Sequence, residues 1–170
     1  MMFRGEPYSL IDEEARAARD RGSSLLFFPY LSGTATPDLS EKEGCFYGVS
    51  LSTTRGDFAL AVMEGIAFQM RSILEAMKAY GNVHTLVLFG GGAKSDLWCQ
   101  IIADATDMTI SVPNTVEAAG AGASRLAAMA VGENIPPLKS EKYYTPSSLA
   151  AEYDKKYQRF KAFEKKLWNK

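Results

Sequence analysis

Apolar residues gather along this chain into runs whose spacing and punctuation predict its elements. Near the start, Ser9 precedes Asp12 by three residues and an alanine-, glutamate- and arginine-rich stretch runs to Ala18, so a short helix is expected from about Ser9, ended by Gly22. Leu25-Leu26-Phe27-Phe28 is apolar throughout and is stopped by Pro29, which reads as a buried strand or an extended segment leading into a loop. A loop from Tyr30 to Glu43 follows, with Gly33, Pro37 and several hydroxyl residues, long enough to do more than join neighbours. Cys45 to Ser50 reads as a short strand. Thr53 and Thr54 then offer N-cap oxygens to a long helix through Tyr80, closed by Gly81. Within it, Phe58 to Phe68 is apolar nearly all round, which predicts the central buried helix.

The second half alternates. A buried strand is expected over Thr85–Phe89, a helix from about Ser95 to Ala105, a strand over Met108–Val112 and an alanine-rich helix from about Glu117 to Val131. That order favours parallel strands joined by right-handed crossovers, an α/β layer arrangement with a mostly parallel sheet flanked by helices. Pro136-Pro137 breaks the pattern. Residues 146–170 carry Tyr153, Tyr157 and Phe160 at helical spacing with lysines opposite, the mark of an amphipathic terminal helix covering an edge of the core.

Composition narrows the function more than the fold. A chain of 170 residues suits one domain, and a net charge of -1 gives a polyanion nothing to bind, which argues against nucleic acid. Cys45 and Cys99 stand far apart in no ligand-like spacing, so reduced thiols of a cytoplasmic protein are expected, with no metal site. The single histidine, His84, reads as a strand-edge residue. The first residues carry no signal-like pattern and no apolar run reaches about 18 residues, so a soluble protein without membrane attachment is expected.

The strongest chemical feature is Leu86-Val87-Leu88-Phe89-Gly90-Gly91-Gly92-Ala93-Lys94-Ser95, a strand entering three glycines and then a helix. Such a turn presents backbone N–H groups and a helix start to a ligand, as phosphate or nucleotide recognition needs; it also serves where a helix must simply pack close to a sheet. Three consecutive glycines exceed what a plain turn requires, and Ser95 stands where an N-cap or a polar ligand contact would be. The spacing matches neither G-x-G-x-x-G nor G-x-x-x-x-G-K-[ST], which argues against a nicotinamide enzyme and a P-loop ATPase. Glu117-Ala118-Ala119-Gly120-Ala121-Gly122-Ala123 opens a helix with small residues, for tight packing on the sheet or for a ligand. Glu64, inside the apolar helix, needs a hydrogen-bonding partner or a gap, and a structural role is expected of it rather than a catalytic one.

Taken in order, these residues resemble the FGGY carbohydrate kinases. Gly44-x-Phe46-x-Gly48-Val49 followed by Asp57-Phe58-x-x-Ala61-Val62-Met63-Glu64-Gly65 is similar to the family's second signature. Gly90-Gly91-Gly92-Ala93-Lys94-Ser95-x-Leu97-Trp98-x-Gln100-Ile101-Ile102-Ala103-Asp104 is similar to the nucleotide-binding segment of its xylulokinases, with Phe28-Pro29-Tyr30-Leu31-Ser32-Gly33 and the small-residue helix matching as well. The resemblance covers residues 8 to 160. It departs at Thr34-Ala35, where the xylulokinase-like pattern has Glu-Arg before the Thr-Pro of residues 36 and 37.

The resemblance implies a ribonuclease-H-like, actin-like ATPase fold, with residues 1–170 as part of the C-terminal, nucleotide-binding lobe. It further implies ATP or ADP as cofactor, with Mg2+ in the complete enzyme, and transfer of the γ-phosphoryl group to a hydroxyl of a ketopentose such as xylulose or a related sugar. The nucleotide-contacting role falls on Gly90, Gly91, Gly92, Ala93 and Ser95; Glu64, Trp98 and Gln100 receive no role. No residue matches the N-terminal sugar-binding lobe, its catalytic aspartate or the first phosphate-binding hairpin, so no catalytic or metal-binding residue is assigned and the chain alone is expected to phosphorylate no sugar. An unpaired strand edge and bare helix faces are expected in consequence, a setting for homo-oligomers. The alternative is a non-catalytic nucleotide-sensing or interaction module derived from a kinase lobe.

Overall fold

The computed structural model describes residues 7–34, 42–81, 83–114, 117–136 and 139–168. The helix α1 (Tyr8–Asp20) begins after Pro7, which takes the extended N-cap position, so the Ser9–Asp12 pair lies inside the first turn and caps nothing. Proline's fixed φ and missing N–H suit it to a helix start, and it displaces the start by one residue. Gly22, at φ 74°, ends the segment as expected.

The strand β1 (Leu26–Phe28) is wholly buried and pairs antiparallel with β2 (Cys45–Tyr47), Phe27 opposite Phe46. The loop between them falls largely outside the described residues. α2 (Arg55–Met77) follows, started by a capping box in which the Thr54 side chain accepts from the Asp57 N–H and Asp57 Oδ2 accepts from the Thr54 N–H at 2.8 Å. Arg21 adds an ion pair to Asp57 at 3.3 Å. A 3-10 turn, Lys78–Tyr80, and Gly81 close the helix.

α2 is the central helix, and glycines let its neighbours close on it. A β-carbon at Gly65 would stand 2.3 Å from the Phe27 carbonyl oxygen, and one at Gly56 would stand 2.5 Å from that of Glu14, so β1 and α1 both lie directly against its backbone. Its other side packs on α3 (Asp96–Thr106) and on α5 (Ala150–Trp168), where Phe68 meets Tyr153, Tyr157 and Phe160 at ring-centroid distances of 6.5, 5.8 and 5.5 Å. Phe28 stacks on Phe160 at 4.7 Å, joining the small sheet to the same aromatic core.

Glu64 lies in this core, and its carboxylate accepts from Lys156 Nζ at 2.8 Å. Burial pushes its pKa above the ordinary range, and the Lys156 ammonium acts against that rise. The partner that the buried carboxylate needs is thus a side chain of α5.

The second sheet departs from the expected mostly parallel form. β3 (Thr85–Val87) runs parallel to β4 (Thr109–Pro113), and β5 (Ser140–Tyr144) adds to β4 antiparallel, with Ile110 opposite Tyr144. The parallel pair follows from the helical crossover through α3. β5 is an added edge, and its sequence, Ser-Glu-Lys-Tyr-Tyr, gives no apolar alternation to announce it.

β3 is also not buried as expected: Val87 is 58% exposed and Phe89 54%. It forms the other edge of the sheet; Leu86 and Leu88 pack against the core, and the side chains that alternate with them, Val87 and Phe89, are left exposed. α4 (Ala118–Ala130) buries no residue, with Leu126, Met129 and, just after it, Val131 exposed, so of the two roles open to Glu117–Ala123 tight packing is not found among the described residues. Space around Gly120 and Gly122 is open. No described helix is long and apolar enough to cross a membrane.

Candidate functional site

The turn between β3 and α3 is built around Gly90. Its φ of 86° and ψ of -167° lie in a region that only glycine occupies without strain, and it redirects the chain out of the sheet. Gly91 to Lys94 then make one 3-10 turn, with the Ala93 N–H donating to the Gly90 carbonyl at 3.2 Å and the Ser95 N–H to that of Gly92 at 3.1 Å. Ser95 caps α3, its Oγ accepting from the Trp98 N–H at 3.0 Å.

The three glycines do different work. β-Carbons at Gly90 and Gly91 would meet open space, whereas one at Gly92 would stand 2.2 Å from Trp98 Cζ3. The outer part of the turn is therefore bare backbone and the inner part is seated on an indole ring. Ala93 is buried beneath it, its carbonyl oxygen accepting from Cys99 Sγ at 3.6 Å. Burial raises that thiol to about 11, with the Asp96 carboxylate adding to the rise, so Cys99 is a protonated packing group near neutral pH.

Beside the bare part of the turn lies a cleft of about 200 Å³ lined by Phe89, Gly90, Ala93, Lys94, Val112, Pro113, Asn114, Glu141 and Lys142. Gly90 follows the carboxyl end of β3 and Asn114 that of β4, so the cleft opens where two adjacent parallel strands finish and their loops part. Ligands of open α/β sheets bind at such places. Of the residues singled out from sequence, Gly90 and Ala93 line the cleft, and Gly91, next in the chain but outside the lining, has open space on its free side. Gly92 faces Trp98, and Ser95 has one hydroxyl interaction committed to the helix start.

Asn114, Glu141 and Lys142 escaped sequence reasoning. They arrive through sheet pairing, Pro113 opposite Ser140, and no local motif marks them. Lys94 stood inside the quoted motif without a role. Gln100 donates to Asp104 at 3.1 Å and to the Thr145 carbonyl at 2.9 Å, and the buried Asp104 accepts from the Ser147 N–H at 2.6 Å. Both therefore fasten the segment before α5 and stand outside the cleft lining. Among the described residues, no group of three or more His, Cys, Asp or Glu gathers to hold a metal ion.

The cleft fits a nucleotide in kind: exposed glycine backbone, an apolar wall of Phe89, Val112 and Pro113, and two lysine ammonium groups at its rim.

Residues 4–131 match the model of the FGGY family of carbohydrate kinases, C-terminal domain. The chain is 35% identical over 132 residues to the xylulose kinase of Staphylococcus epidermidis, covering 76% of this chain and 27% of that one. Among solved structures it superposes with a TM-score of 0.81 and 25% identity on the ligand-bound xylulose kinase of Lactobacillus acidophilus, covering 98% of this chain and 36% of the other. The gluconate kinase of the same organism gives an equal TM-score, 0.81, and an equal identity, 25%, over 96% and 35%. The chain thus spans about a third of the length of the kinases it matches.

Proposed function

The chain belongs to the FGGY family of carbohydrate kinases, and from that premise we propose that residues 1–170 are the nucleotide-binding portion of an ATP-dependent sugar kinase of the cytoplasm. ATP supplies the phosphoryl group, and a hydroxyl of a ketopentose such as xylulose, or a related sugar, receives it. The observation that carries the reading is the cleft at the carboxyl ends of β3 and β4, with bare glycine backbone at Gly90 and Gly91 and two lysines at its rim.

In this reading Gly90 and Gly91 meet the nucleotide through main-chain atoms, Ala93 forms part of the floor, and Gly92 and Ser95 hold the turn in shape. The Mg2+ that accompanies ATP is assigned no ligand in this chain. Phosphoryl transfer depends on positioning, charge neutralisation and a group to receive the hydroxyl proton. The cleft supplies positioning at the nucleotide alone, so this chain by itself binds nucleotide weakly and phosphorylates no sugar.

The exposed faces of β3 and α4 support a second part of the proposal, self-association of the isolated chain through them. The direct test is to titrate the chain with ADP and to assay xylulose phosphorylation with and without a complementing sugar-binding lobe. Nucleotide binding, with turnover only when the lobe is added, supports the kinase reading. Binding without turnover in either case would favour a sensing or interaction module, and turnover by the chain alone would refute the division of labour.

A further inference from the structure

The nucleotide reading leaves open what, apart from glycine backbone, faces the anionic end of the ligand. Lys142 stands on β5 at the rim of the cleft, and its Nζ lies 3.0 Å from Asp96 Oδ1. Tyr144, two residues on and therefore on the same face of the strand, donates its hydroxyl to the same oxygen at 2.5 Å. Asp96 is the first residue of α3, directly after the Ser95 cap and the glycine turn. One carboxylate thus ties β5 to the helix that carries the turn.

The Lys142–Asp96 pair is solvent-exposed on both sides, with side-chain exposures of 56% and 65%. Ion pairs of this kind contribute little, and their cations exchange partners readily. The Tyr144 hydroxyl stays on Asp96 if the ammonium leaves, so release of Lys142 does not strand the carboxylate. Lys94 supplies a second cation to the lining, with no ion-pair partner among the described residues, and Glu141 is the carboxylate lining the same space. Glu141 and Asp96 balance Lys94 and Lys142 while the Lys142–Asp96 pair holds, and an anion that draws Lys142 from Asp96 meets two ammonium groups and the one lining carboxylate, Glu141.

We infer that Lys142 is a phosphate-contacting residue of this cleft, held at its rim by Asp96 and Tyr144 and transferred to a nucleotide phosphate oxygen on binding. This inference rests on the nucleotide reading of the cleft and adds to it a strand, β5, that lies beyond the residues matched to the family model.

The test compares ADP with adenosine, which lacks phosphates, by calorimetric titration of the full chain and of Lys142→Ala, Lys142→Arg and Asp96→Asn. Lys142 is exposed, so its substitution leaves folding intact, checked by circular dichroism. A charge-assisted contact is expected to make Lys142→Ala weaken ADP about 5- to 20-fold while adenosine affinity stays unchanged, and Lys142→Arg to restore most of the loss. Asp96→Asn removes the competing carboxylate and is expected to tighten ADP about twofold.

Equal ADP affinity in wild type and Lys142→Ala overturns the inference and leaves the nucleotide reading standing, as does an equal loss for ADP and adenosine. Failure of the wild-type chain to bind either compound overturns both.

Discussion

The indole ring of Trp98 occupies the space that a β-carbon on Gly92 would need, with Cζ3 2.2 Å from that point. The third glycine is therefore required by packing, whereas Gly91 has open space on its free side. Gly92→Ala is expected to destabilise the chain by about 1–3 kcal/mol through overpacking and to change the Trp98 emission. Trp98→Leu in the same background is expected to recover part of the stability. Urea unfolding with fluorescence detection checks both, and an unaltered midpoint in Gly92→Ala would mean that the ring yields freely.

Gly90 differs in kind. At φ 86° and ψ -167° a side chain is strained whatever the space around it, so Gly90→Ala is expected to cost about 1–3 kcal/mol and to have no second-site rescue in Trp98. Thermal unfolding of the single and double variants separates strain from crowding.

The Glu64–Lys156 pair gives a prediction whose sign depends on pH. Burial raises the folded-state pKa of the Glu64 carboxyl above the ordinary carboxylate value of about 4.5, with Lys156 opposing the rise. A raised acid binds its proton more tightly when folded, so the stability linked to Glu64 is fully present below about 4.5 and falls as pH rises through the folded value. Lys156→Met leaves the carboxylate unpaired and is expected to cost about 3–5 kcal/mol near neutral pH, with the deficit shrinking on acidification. Glu64→Gln in that background should remove the pH dependence of the deficit. Denaturant melts from pH 5 to 8 test this.

Asp57 has the opposite sign. Partial burial would raise its pKa, but hydrogen bonds from Ser23 and Thr54 and the Arg21 charge outweigh that and bring it to about 2. Its contribution is present above the unfolded value of about 3.9 and is lost as pH falls toward 2. Asp57→Asn is expected to flatten the acid limb of the stability curve over that interval, and Thr54→Ala to cost about 1 kcal/mol with the cap.

Much of the first half was legible because its signals are local. Thr54 and Gly81 bracket α2, and the apolar run ending at Pro29 delivered β1. The glycine turn could be located from sequence, but the separate tasks of Gly90, Gly91 and Gly92 could not, because the ring that fixes Gly92 comes from a residue one helical turn into α3. β5 was illegible for a different reason. An edge strand with a solvated face needs no apolar alternation, and its exposed Glu141, Lys142 and Tyr143 resemble a loop. With β5 went Lys142, Glu141 and their place on the cleft. The Val87 and Phe89 side chains read as buried because apolar strands usually are, yet here they stand on an open face.

The apolar side chains exposed on β3 and α4, and just after each, carry their own expectation. Val87, Phe89, Leu126, Met129 and Val131 are all more than half exposed, so light scattering of the isolated chain is expected to show self-association that grows with concentration. Val87→Lys, on the edge strand, should reduce it. A monomer at every concentration would remove this part of the proposal.

The central claim is that the glycine turn, Gly90 lining the cleft and Gly91 bare next to it in the chain, receives an adenine nucleotide. Calorimetric titration of the wild-type chain and of Gly91→Val with ADP tests it most directly. The wild-type chain is expected to bind with a dissociation constant on the order of 0.1 mM, about 5.5 kcal/mol, and Gly91→Val to lose at least tenfold while keeping its thermal midpoint. Equal affinity in the two proteins, or no heat from either, would contradict it.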